Sequence, residues 1–345
     1  MMGGSRPIHV MIAGVGGASL GTELMKCLTL AGGYRIFGCD ISPTAFGLYD
    51  QRFEKTFRVD RENYIASVIA ACRNVGANWL VPGGEQPMVL LAAAKSQLDA
   101  WGIGLIANDV DVIRVYSDKS ETFRLLSTFG VSVPRTKDIH ADVDIFSVGL
   151  PCIVKPATGS GGSAMVFFAV DVDEARIYAD YIRRTGVVPL AQEYVSPEAG
   201  EFTVGVLSLP DGSVASSVAL RRSLDSKLSV AVRGRGGVIS SGYTQGYIAN
   251  FPDIRAQAEA IARTIGSRGP INIQGRLRDG VLLPFEINPR LSASSYLRAL
   301  AGHNELDWLL RYLDRGEAII SKPVREGWYL RSLTETFVTP EGLKT

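Results

Sequence analysis

A short stretch around residue 286 places the strongest constraint on this chain. The apolar run Val281-Leu282-Leu283 leads into Glu286 and Asn288, and Pro289 ends the pattern. Residues two apart on a strand point to the same face, so two oxygen donors would project side by side from a buried strand. This donor set suits Mg²⁺, which takes one or two carboxylates and completes its shell with water and substrate phosphate. The alternative is a strand end whose polar side chains cap a neighbouring helix.

The length of the loop in the hairpin that contains this stretch determines which residues of its two strands pair. The preceding strand carries Gln274, and Asp279-Gly280 predicts the turn between the two strands. A two-residue loop would place Gln274 opposite Phe285, on the wrong side from Glu286. A three-residue loop would pair Asn272 with Glu286 and bring the polar groups together. If Gln274 shares a metal with Glu286, the hairpin must have the longer loop or carry a bulge.

A second stretch predicts a phosphate site. The apolar run 152–154 ends in Lys155-Pro156, and residues 157–163 then hold three glycines and three hydroxyl residues. Backbone amides of such a loop can approach an anion closely, and Lys155 would stand beside it as a point charge for phosphate. The loop is not a Walker A motif, because the lysine precedes the glycines. The alternative interpretation is a flexible surface loop.

Together these motifs resemble the ATP-grasp superfamily, and most of all the synthetase units of the carbamoyl phosphate synthetase large subunit. The resemblance covers roughly residues 8–322 and rests on Lys155-Pro with its glycine-rich loop, on Gln192-Glu193-Tyr194-Val195, on Gln274, on Glu286-x-Asn288-Pro-Arg290 and on the serines after it. It implies an α/β chain that is α+β in its catalytic part. The expected parts are a Rossmann-like N-terminal domain (1–115), an ATP-grasp lid (116–190), an ATP-grasp base with the metal site (191–325) and a C-terminal tail (326–345).

The resemblance also implies ATP and Mg²⁺ (or Mn²⁺) as cofactors, with a role for each site residue. The expected nucleotide-binding residues are Lys119, Lys155, Gly159, Ser160, Gly161, Gly162, Gln192, Glu193, Tyr194, Val195 and Glu201, the last as a ribose-hydroxyl acceptor. The expected metal ligands are Gln274, Glu286 and Asn288, and the expected catalytic residues are Lys155, Arg276 and Arg290. The two arginines would stabilise the phosphoryl group or the substrate carboxylate. Many relatives carry an acidic ligand at the position of Gln274, whereas the carbamoyl-phosphate-like members use Gln.

The function implied is that of an ADP-forming ligase. ATP would convert a substrate carboxylate into an acyl phosphate, which a nucleophile, most often an amine, then attacks. A carbamoyl-phosphate-synthetase-like unit that makes carboxyphosphate or phosphorylates carbamate is one alternative. An NAD-dependent oxidoreductase and a non-catalytic nucleotide sensor are the others.

The alternative of an NAD-dependent oxidoreductase rests on the N-terminal residues. The strand His9–Ala13, the glycine-rich turn 14–19 and a later strand tipped by Asp40 outline a dinucleotide-binding unit. The resemblance implies a different use, a Rossmann-like domain beside the acceptor-substrate cleft that does not bind NAD. Ligands of open α/β sheets lie beyond the carboxyl ends of the strands, so Gly16, Asp40 and Glu85 are candidates for substrate contact. Turn residues and helix caps are the alternative.

Two groups of arginines are further candidates for binding an anion. Arg221 and Arg222 end a predicted strand, and Arg233-Gly234-Arg235-Gly236-Gly237 follows. Arginines in a glycine-rich loop suit bidentate capture of carboxylate or phosphate. A solvated, mobile basic loop is the alternative.

Composition bounds the remaining possibilities. A length of 345 residues allows two or three domains, and 36 basic against 35 acidic residues give no excess that would favour nucleic acid or an anionic membrane. The four cysteines show no CxxC spacing, and no stretch reaches about 18 apolar residues. We therefore expect a soluble, cytoplasmic protein that binds neither nucleic acid nor a membrane. The resemblance implies small-molecule carboxylate and amine substrates, and a homodimer is one possibility.

Overall fold

The N-terminal segment forms a five-stranded sheet. The computed structural model describes residues 6–17, 19–158, 165–234 and 237–344. The first elements are β1 (Ile8–Ala13), α1 (Leu20–Ala31), β2 (Tyr34–Asp40), β3 (Lys55–Arg58), α2 (Tyr64–Val75), β4 (Trp79–Pro82), α3 (Glu85–Ala93), α4 (Lys95–Ala100), β5 (Gly104–Leu105) and α5 (Val110–Tyr116). All strand pairs are parallel, in the order β3-β2-β1-β4-β5. Apolar clusters cover both faces, which is why β1 reads as an almost continuous apolar run.

The next segment builds a smaller antiparallel sheet. Its elements are α6 (Lys119–Thr128), β6 (Thr136–Asp138), α7 (Asp142–Val148), β7 (Cys152–Pro156), β8 (Phe167–Ala169), α8 (Val172–Arg183) and β9 (Pro189–Glu193). The strand order is β6-β9-β7-β8, and α7 and α8 pack on the sheet. Helix α6 does not pack into the core of this smaller sheet. Its Phe123 and Leu126 are buried in the core of the larger sheet that follows.

The larger sheet has six strands. The elements are β10 (Glu201–Ser208), β11 (Val214–Arg222), β12 (Val230–Gly234), β13 (Gly237–Ser240), β14 (Gly246–Ala249), α9 (Pro252–Thr264), β15 (Pro270–Arg278), β16 (Val281–Asn288), α10 (Ser295–Leu300), α11 (Glu305–Arg315) and β17 (Gly327–Tyr329). Their order is β16-β15-β10-β11-β14-β17, and β12 and β13 form a separate hairpin. Helix α9 packs on β10 and β11, while α10 and α11 contact α1 of the N-terminal unit.

A buried ion pair lies beneath β10. Nη1 of Arg298 donates to Glu305 at 3.2 Å, and Nη2 donates to Asn272 at 2.7 Å and to Thr203 at 3.2 Å. Arg298 is 0% exposed and Glu305 is 3% exposed. Room for the pair comes from Gly205, where a Cβ atom would stand 2.1 Å from Glu305 and 2.2 Å from Arg298. A side chain at this position of β10 would therefore break the pair.

Residues after 326 tie the larger sheet to the N-terminal unit. Strand β17 pairs with β14 at the sheet edge. The buried Arg331 donates to Glu23 of α1 at 3.2 Å and also to the carbonyl of Ala293. Further along, the backbone N–H of Lys344 donates to the hydroxyl of Tyr49 at 3.0 Å. Among the described residues, no helix is long and apolar enough to span a membrane.

His303 gives the fold a testable pH dependence. The side chain is 1% exposed, its ring packs on Trp308, and no described residue offers a hydrogen-bond partner to its Nε2. Burial, together with Arg298 and Arg255, lowers the pKa of His303 from 6.5 to about 3. The unfolded chain therefore takes up a proton below about pH 6.5 that the folded chain refuses, so the free energy of unfolding falls as the pH falls.

We expect this group to cost about 2–3 kcal/mol of unfolding free energy between about pH 7.5 and pH 4.5. His303→Phe keeps the aromatic packing and removes the titrating group, so its unfolding free energy should lack that loss. Urea unfolding of both proteins at the two pH values measures the difference. Equal losses in the two proteins would contradict the assignment.

Candidate active site

A bulge in the hairpin of β15 and β16 brings Gln274 opposite Glu286. The loop is the two-residue kind, with Asp279 at φ 52° and Gly280 at φ 76°. Arg278 pairs with Val281 and Gly275 with Pro284, but Gln274 then pairs with Glu286. Phe285 is thus the extra residue, and beyond it Glu286 faces Gln274. Of the two solutions that the sequence allows, the structure has the bulge and not the three-residue loop.

The bulge also connects the two sheets. Nζ of Lys155 on β7 donates to the carbonyl of Phe285 at 2.9 Å and to Oε1 of Gln192 on β9 at 2.8 Å. Lys155 is only 5% exposed, and its ammonium lies 5.1 Å from the ring centre of Phe123. Burial, reinforced by Lys119, lowers the pKa of Lys155 to about 7. The lysine of the predicted phosphate site is therefore buried between the smaller and the larger sheet, where its Nζ contacts both.

Two cavities meet at Glu286. The larger lies between the sheets, and its lining includes Lys119, Lys155, Gln192, Glu193, Tyr194, Val195, Gln274, Arg276 and Glu286. The smaller faces the N-terminal unit, and its lining includes Glu85, Ser117, Lys119, Glu286 and Asn288. Lys119 and Glu286 line both cavities. Most of the described residues that the sequence nominates thus come together around one junction.

Asn288 is supported by the arginine that follows it. Nη2 of Arg290 donates to Oδ1 of Asn288 at 3.2 Å, and Nη1 donates to the carbonyl of Leu291 at 2.9 Å. Burial lowers the pKa of Arg290, and the carboxylates of Glu286 and Glu85 partly offset this effect. A carbonyl oxygen has two lone pairs, so Oδ1 of Asn288 can accept from Arg290 and still bind a cation.

The donor set fits a hard divalent cation. Glu286 supplies a carboxylate and Asn288 an amide oxygen from one strand end, and Mg²⁺ needs one or two carboxylates when substrate phosphate completes its shell. The described residues hold no group of three His, Cys, Asp or Glu side chains that could form a protein-only metal cage. A cation here would therefore depend on the nucleotide for part of its coordination.

Glu201 and Arg276 form a buried ion pair beside the larger cavity. The carboxylate of Glu201 is buried between Arg276, whose Nε lies 2.8 Å away, and Arg222, whose Nε lies 3.4 Å away. Both arginines hold the pKa of Glu201 below its ordinary value, although burial works in the opposite direction. The expected ribose acceptor is thus an ion-pair partner in this structure, and it does not line the larger cavity.

Arg276 is the partner of Glu201 in this ion pair. Its Nη1 and Nη2 each donate at 2.7 Å, to the carbonyls of Val195 and Val238 respectively. Arg276 therefore holds the backbone at Val195 in this structure, and it also lines the larger cavity. Sequence reasoning could not see this, because Arg276 lies 75 positions from Glu201 and 81 positions from Val195 along the chain.

The remaining nominated residues divide into three groups. Glu193 pairs with Arg278 at 2.6 Å and with Arg135 at 3.2 Å, and the hydroxyl of Tyr194 accepts from the N–H of Val238. Gly159, Ser160, Gly161, Gly162, Arg235 and Gly236 lie outside the described residues. Arg221, Arg222 and Arg233 line an open groove beside Trp328 and not either cavity at Glu286.

Of the three candidates in the N-terminal unit, Gly16, Asp40 and Glu85, Glu85 is the one that lines the smaller cavity. Asp40 instead accepts hydrogen bonds from the backbone N–H groups of Val15, at 2.8 Å, and Ser42, at 2.9 Å. The carbonyl of Gly16 accepts from the hydroxyl of Ser19. The acidic residue that would bind a ribose in an NAD site is therefore used to hold its own glycine-rich turn.

Comparison with known proteins decides the family. A family model described as the ATP-grasp domain matches residues 116–294, which is more than half of the chain. The chain belongs to the ATP-grasp family. This confirms the predicted family and, with it, the predicted class of ATP-dependent ligase.

The ATP-grasp chain has curated relatives that are considerably longer. The carbamoyl phosphate synthase large chain of Kocuria rhizophila is 27% identical over 221 residues, which cover 61% of this chain and 18% of that protein. The chain therefore spans about a fifth of the length of the curated relatives it matches.

Solved structures share the fold at low identity. The biotin carboxylase domain of Hydrogenobacter thermophilus 2-oxoglutarate carboxylase has a TM-score of 0.66 at 15% identity, covering 92% of this chain and 72% of that one. The L-amino acid ligase of Bacillus licheniformis has a TM-score of 0.65 at 17% identity, covering 93% of this chain and 75% of that one. The mixed α/β architecture is that of ATP-grasp ligases.

Lys155→Met tests the buried cation. Methionine fills a similar volume without the ammonium, so the protein should fold while its affinity for Mg²⁺-ATP falls. A hydrogen bond to a charged group contributes about 1.5–3 kcal/mol, which corresponds to a rise in Kd of about 10- to 100-fold. Isothermal titration calorimetry measures the Kd, and thermal unfolding checks the fold. Lys137→Met, an exposed lysine of β6, is the matched control and should bind as the unmodified protein does.

Proposed function

We propose that this ATP-grasp chain is an ADP-forming ligase that activates a carboxylate as an acyl phosphate and joins it to an amine. The observation that carries the proposal is the junction at Lys119 and Glu286, which line both cavities. ATP in the larger cavity would bring its γ-phosphate to the same two residues that an acceptor in the smaller cavity would contact. Transfer between the cavities therefore needs no rearrangement of these two side chains.

The residues around the nucleotide would act mainly by positioning and by neutralising charge. Lys155 and Lys119 would offset phosphate charge, as would the amides of the loop 159–162 that the sequence predicts. Arg276 fixes the carbonyl of Val195, so the backbone of Glu193, Tyr194 and Val195 would offer a rigid edge to the adenine. Gln192 orients Lys155 through its amide oxygen.

Glu286 and Asn288 would hold Mg²⁺ (or Mn²⁺), with Arg290 supporting the amide of Asn288. A bound cation of this kind supplies charge neutralisation at the β- and γ-phosphates. Arg290 donates to Asn288, which lines the smaller cavity, and its guanidinium would also attract the acceptor carboxylate. Glu85 faces the same cavity and would favour an acceptor that carries an ammonium group.

We also propose a role for the N-terminal unit and an oligomeric state for the protein. The parallel sheet with the order β3-β2-β1-β4-β5 supports a Rossmann-like unit, here used to close the acceptor cavity and not to bind NAD. We propose a cytoplasmic enzyme, and the dimer described for the biotin carboxylase domain of Hydrogenobacter thermophilus supports a homodimer. The proposed domains are the Rossmann-like unit (1–115), the lid (116–190), the base (191–325) and a C-terminal tail (326–345).

A second acceptor has independent support. The curated relatives are carbamoyl phosphate synthase large chains, and the Hydrogenobacter thermophilus domain was solved with bicarbonate. The chain could accordingly phosphorylate bicarbonate or carbamate. ATP hydrolysis stimulated by bicarbonate, and not by amino acids or hydroxy acids, would favour this function over the carboxylate-amine ligase.

The products of ATP turnover test the mechanism. Across a panel of amino acids and hydroxy acids with amine partners, the correct acceptor should yield ADP and phosphate. Hydroxylamine should trap an acyl hydroxamate, because an acyl phosphate reacts readily with this nucleophile. Product analysis by ion-exchange chromatography distinguishes the outcomes. AMP and pyrophosphate would mean an adenylating enzyme, and binding of ATP without turnover on any acceptor would mean a nucleotide sensor.

Glu286→Gln separates the metal role from a structural one. The substitution keeps size and packing but removes the charge that would face the cation, so the protein should fold normally. Turnover should fall by about 10²–10³-fold, the size expected from the loss of one preorganised electrostatic contact. Steady-state ATPase rates and melting curves report the two effects. Glu62→Gln, an exposed residue of the N-terminal unit, is the control, and an active but destabilised Glu286→Gln would reject the metal role.

A further inference from the structure

A further cavity lies at the edge of the six-stranded sheet, where β14 ends. Strand β14 pairs with residues 219–222 of β11, so among the described strands none pairs with residues 214–218 on that side. A cavity of about 460 Å³ opens there, with walls from β11, the end of β14, α9, the α10–α11 connection and residues 321–326. Pockets of about 300–1,000 Å³ hold small molecules. This edge cavity shares no lining residue with the two cavities at Glu286.

The guanidinium of Arg255 is fixed at the wall of the edge cavity. Its Nε donates to the hydroxyl of Ser217 at 2.9 Å, and its Nη1 donates to Oδ1 of Asn250 at 2.6 Å. All three residues line the cavity. These two contacts set the plane of the guanidinium, and no described residue accepts from its Nη2. A guanidinium held in this way has N–H groups left for an oxyanion, the ligand that its planar fork fits best.

His303 supplies an independent sign of a ligand. The residue lines the same cavity and is 1% exposed, yet no described residue is a hydrogen-bond partner of its Nε2. Trp308 contacts the ring by packing, with 4.6 Å between the two ring centres. Buried polar atoms in proteins nearly always have a hydrogen-bond partner. A ring nitrogen without one in the wall of a cavity therefore calls for a partner that enters the cavity.

The charges around the ring decide the class of that partner. Burial, together with Arg298 and Arg255, lowers the pKa of His303 to about 3, so the ring is neutral at pH 7. The same two guanidinium groups disfavour a cation beside the ring and favour an anion. The exposed Lys322 adds a positive charge to the lining. Glu326 is the acidic residue among the described lining residues, and its carboxylate already accepts a backbone N–H at 3.3 Å.

We propose that the edge cavity binds a small oxyanion, which Nη2 of Arg255, Nε2 of His303 and the ammonium of Lys322 hold together. Phosphate and carboxylate groups share the chemistry that these donors recognise. The oxyanion selects the ring tautomer in which Nε2 carries the proton, because only a donor can face it. The site is distinct from the junction at Glu286, so the proposal does not rest on the proposed function.

His303 can report its own ligand, because the chain has only 3 histidines. Nuclear magnetic resonance of protein made with isotope-labelled histidine resolves their ring signals, and His303→Phe identifies the signal of His303. Inorganic phosphate, titrated at constant ionic strength set with NaCl, should shift this signal saturably and leave those of His9 and His140 in place. Succinate replaces phosphate in a second titration. Saturation with one of the two identifies the oxyanion, and the lack of a saturable shift with both would overturn the proposal.

Substitutions in the lining test who holds the anion. Arg255→Met should raise the Kd for the oxyanion by about 10- to 100-fold, because hydrogen bonds between charged groups are lost. Lys322→Met should raise it by a smaller factor, because solvent screens an exposed charge. Arg268→Met is the matched control, since this exposed arginine follows α9 and does not line the cavity.

The control should bind the oxyanion as the unmodified protein does. An equal loss of affinity in Arg268→Met would overturn the proposal by making the effect one of net charge. If Arg255→Met does not fold, Arg255→Lys keeps the charge without the planar fork, and a smaller loss is expected. Unchanged affinity in the folded Arg255 variant and in Lys322→Met would also overturn the proposal.

A final variant separates the edge cavity from the junction. Phosphate is a product of the proposed reaction and could also bind beside Lys155. Because the cavities share no lining residue, Lys155→Met should leave the titration of the His303 signal unchanged. A shift that is lost in Lys155→Met and kept in Arg255→Met would overturn the proposal, because the phosphate would then act from the junction.

Discussion

The hydrogen bond from Lys155 to the carbonyl of Phe285 is the contact on which the site depends. It exists because Phe285 is an extra residue in β16, so its carbonyl is turned out of the β15 ladder and towards the smaller sheet. One inserted residue thus does two things at once. It brings Glu286 opposite Gln274, and it gives the lysine of the smaller sheet an acceptor on the larger one.

Local patterns predict the elements of the site well. The Asp279-Gly280 turn, the strands on either side of it and the apolar run that ends at Lys155 are all present in the structure. The demand for a longer loop or a bulge followed from the two-residue periodicity of strands, and the bulge satisfies it. The periodicity did not decide between the two solutions, because both satisfy it, and the contact that uses the bulged carbonyl comes from Lys155, 130 residues away.

The roles of buried charges were the part that the sequence could not supply. The resemblance to the ATP-grasp family nominates Glu201 and Arg276, but their contacts are decided by each other and by Arg222 on β11. Similarly, Arg298 and Glu305 belong to two different helices, α10 and α11. They form a buried pair only because Gly205, on a strand almost 100 residues earlier, leaves room for them. Pairings of this kind depend on which strands become neighbours, and no local pattern encodes that.

The attachment of residues beyond 326 to the N-terminal unit has a consequence for synthesis. Arg331 reaches Glu23 across 308 positions, and Lys344 reaches Tyr49 across 295. During translation the N-terminal sheet emerges long before these partners exist. At about 5–20 residues per second, tens of seconds would pass before Lys344 is made. Over that interval the nascent N-terminal sheet must remain soluble while the carboxylate of Glu23 is still without Arg331 and the hydroxyl of Tyr49 is still without the backbone N–H of Lys344.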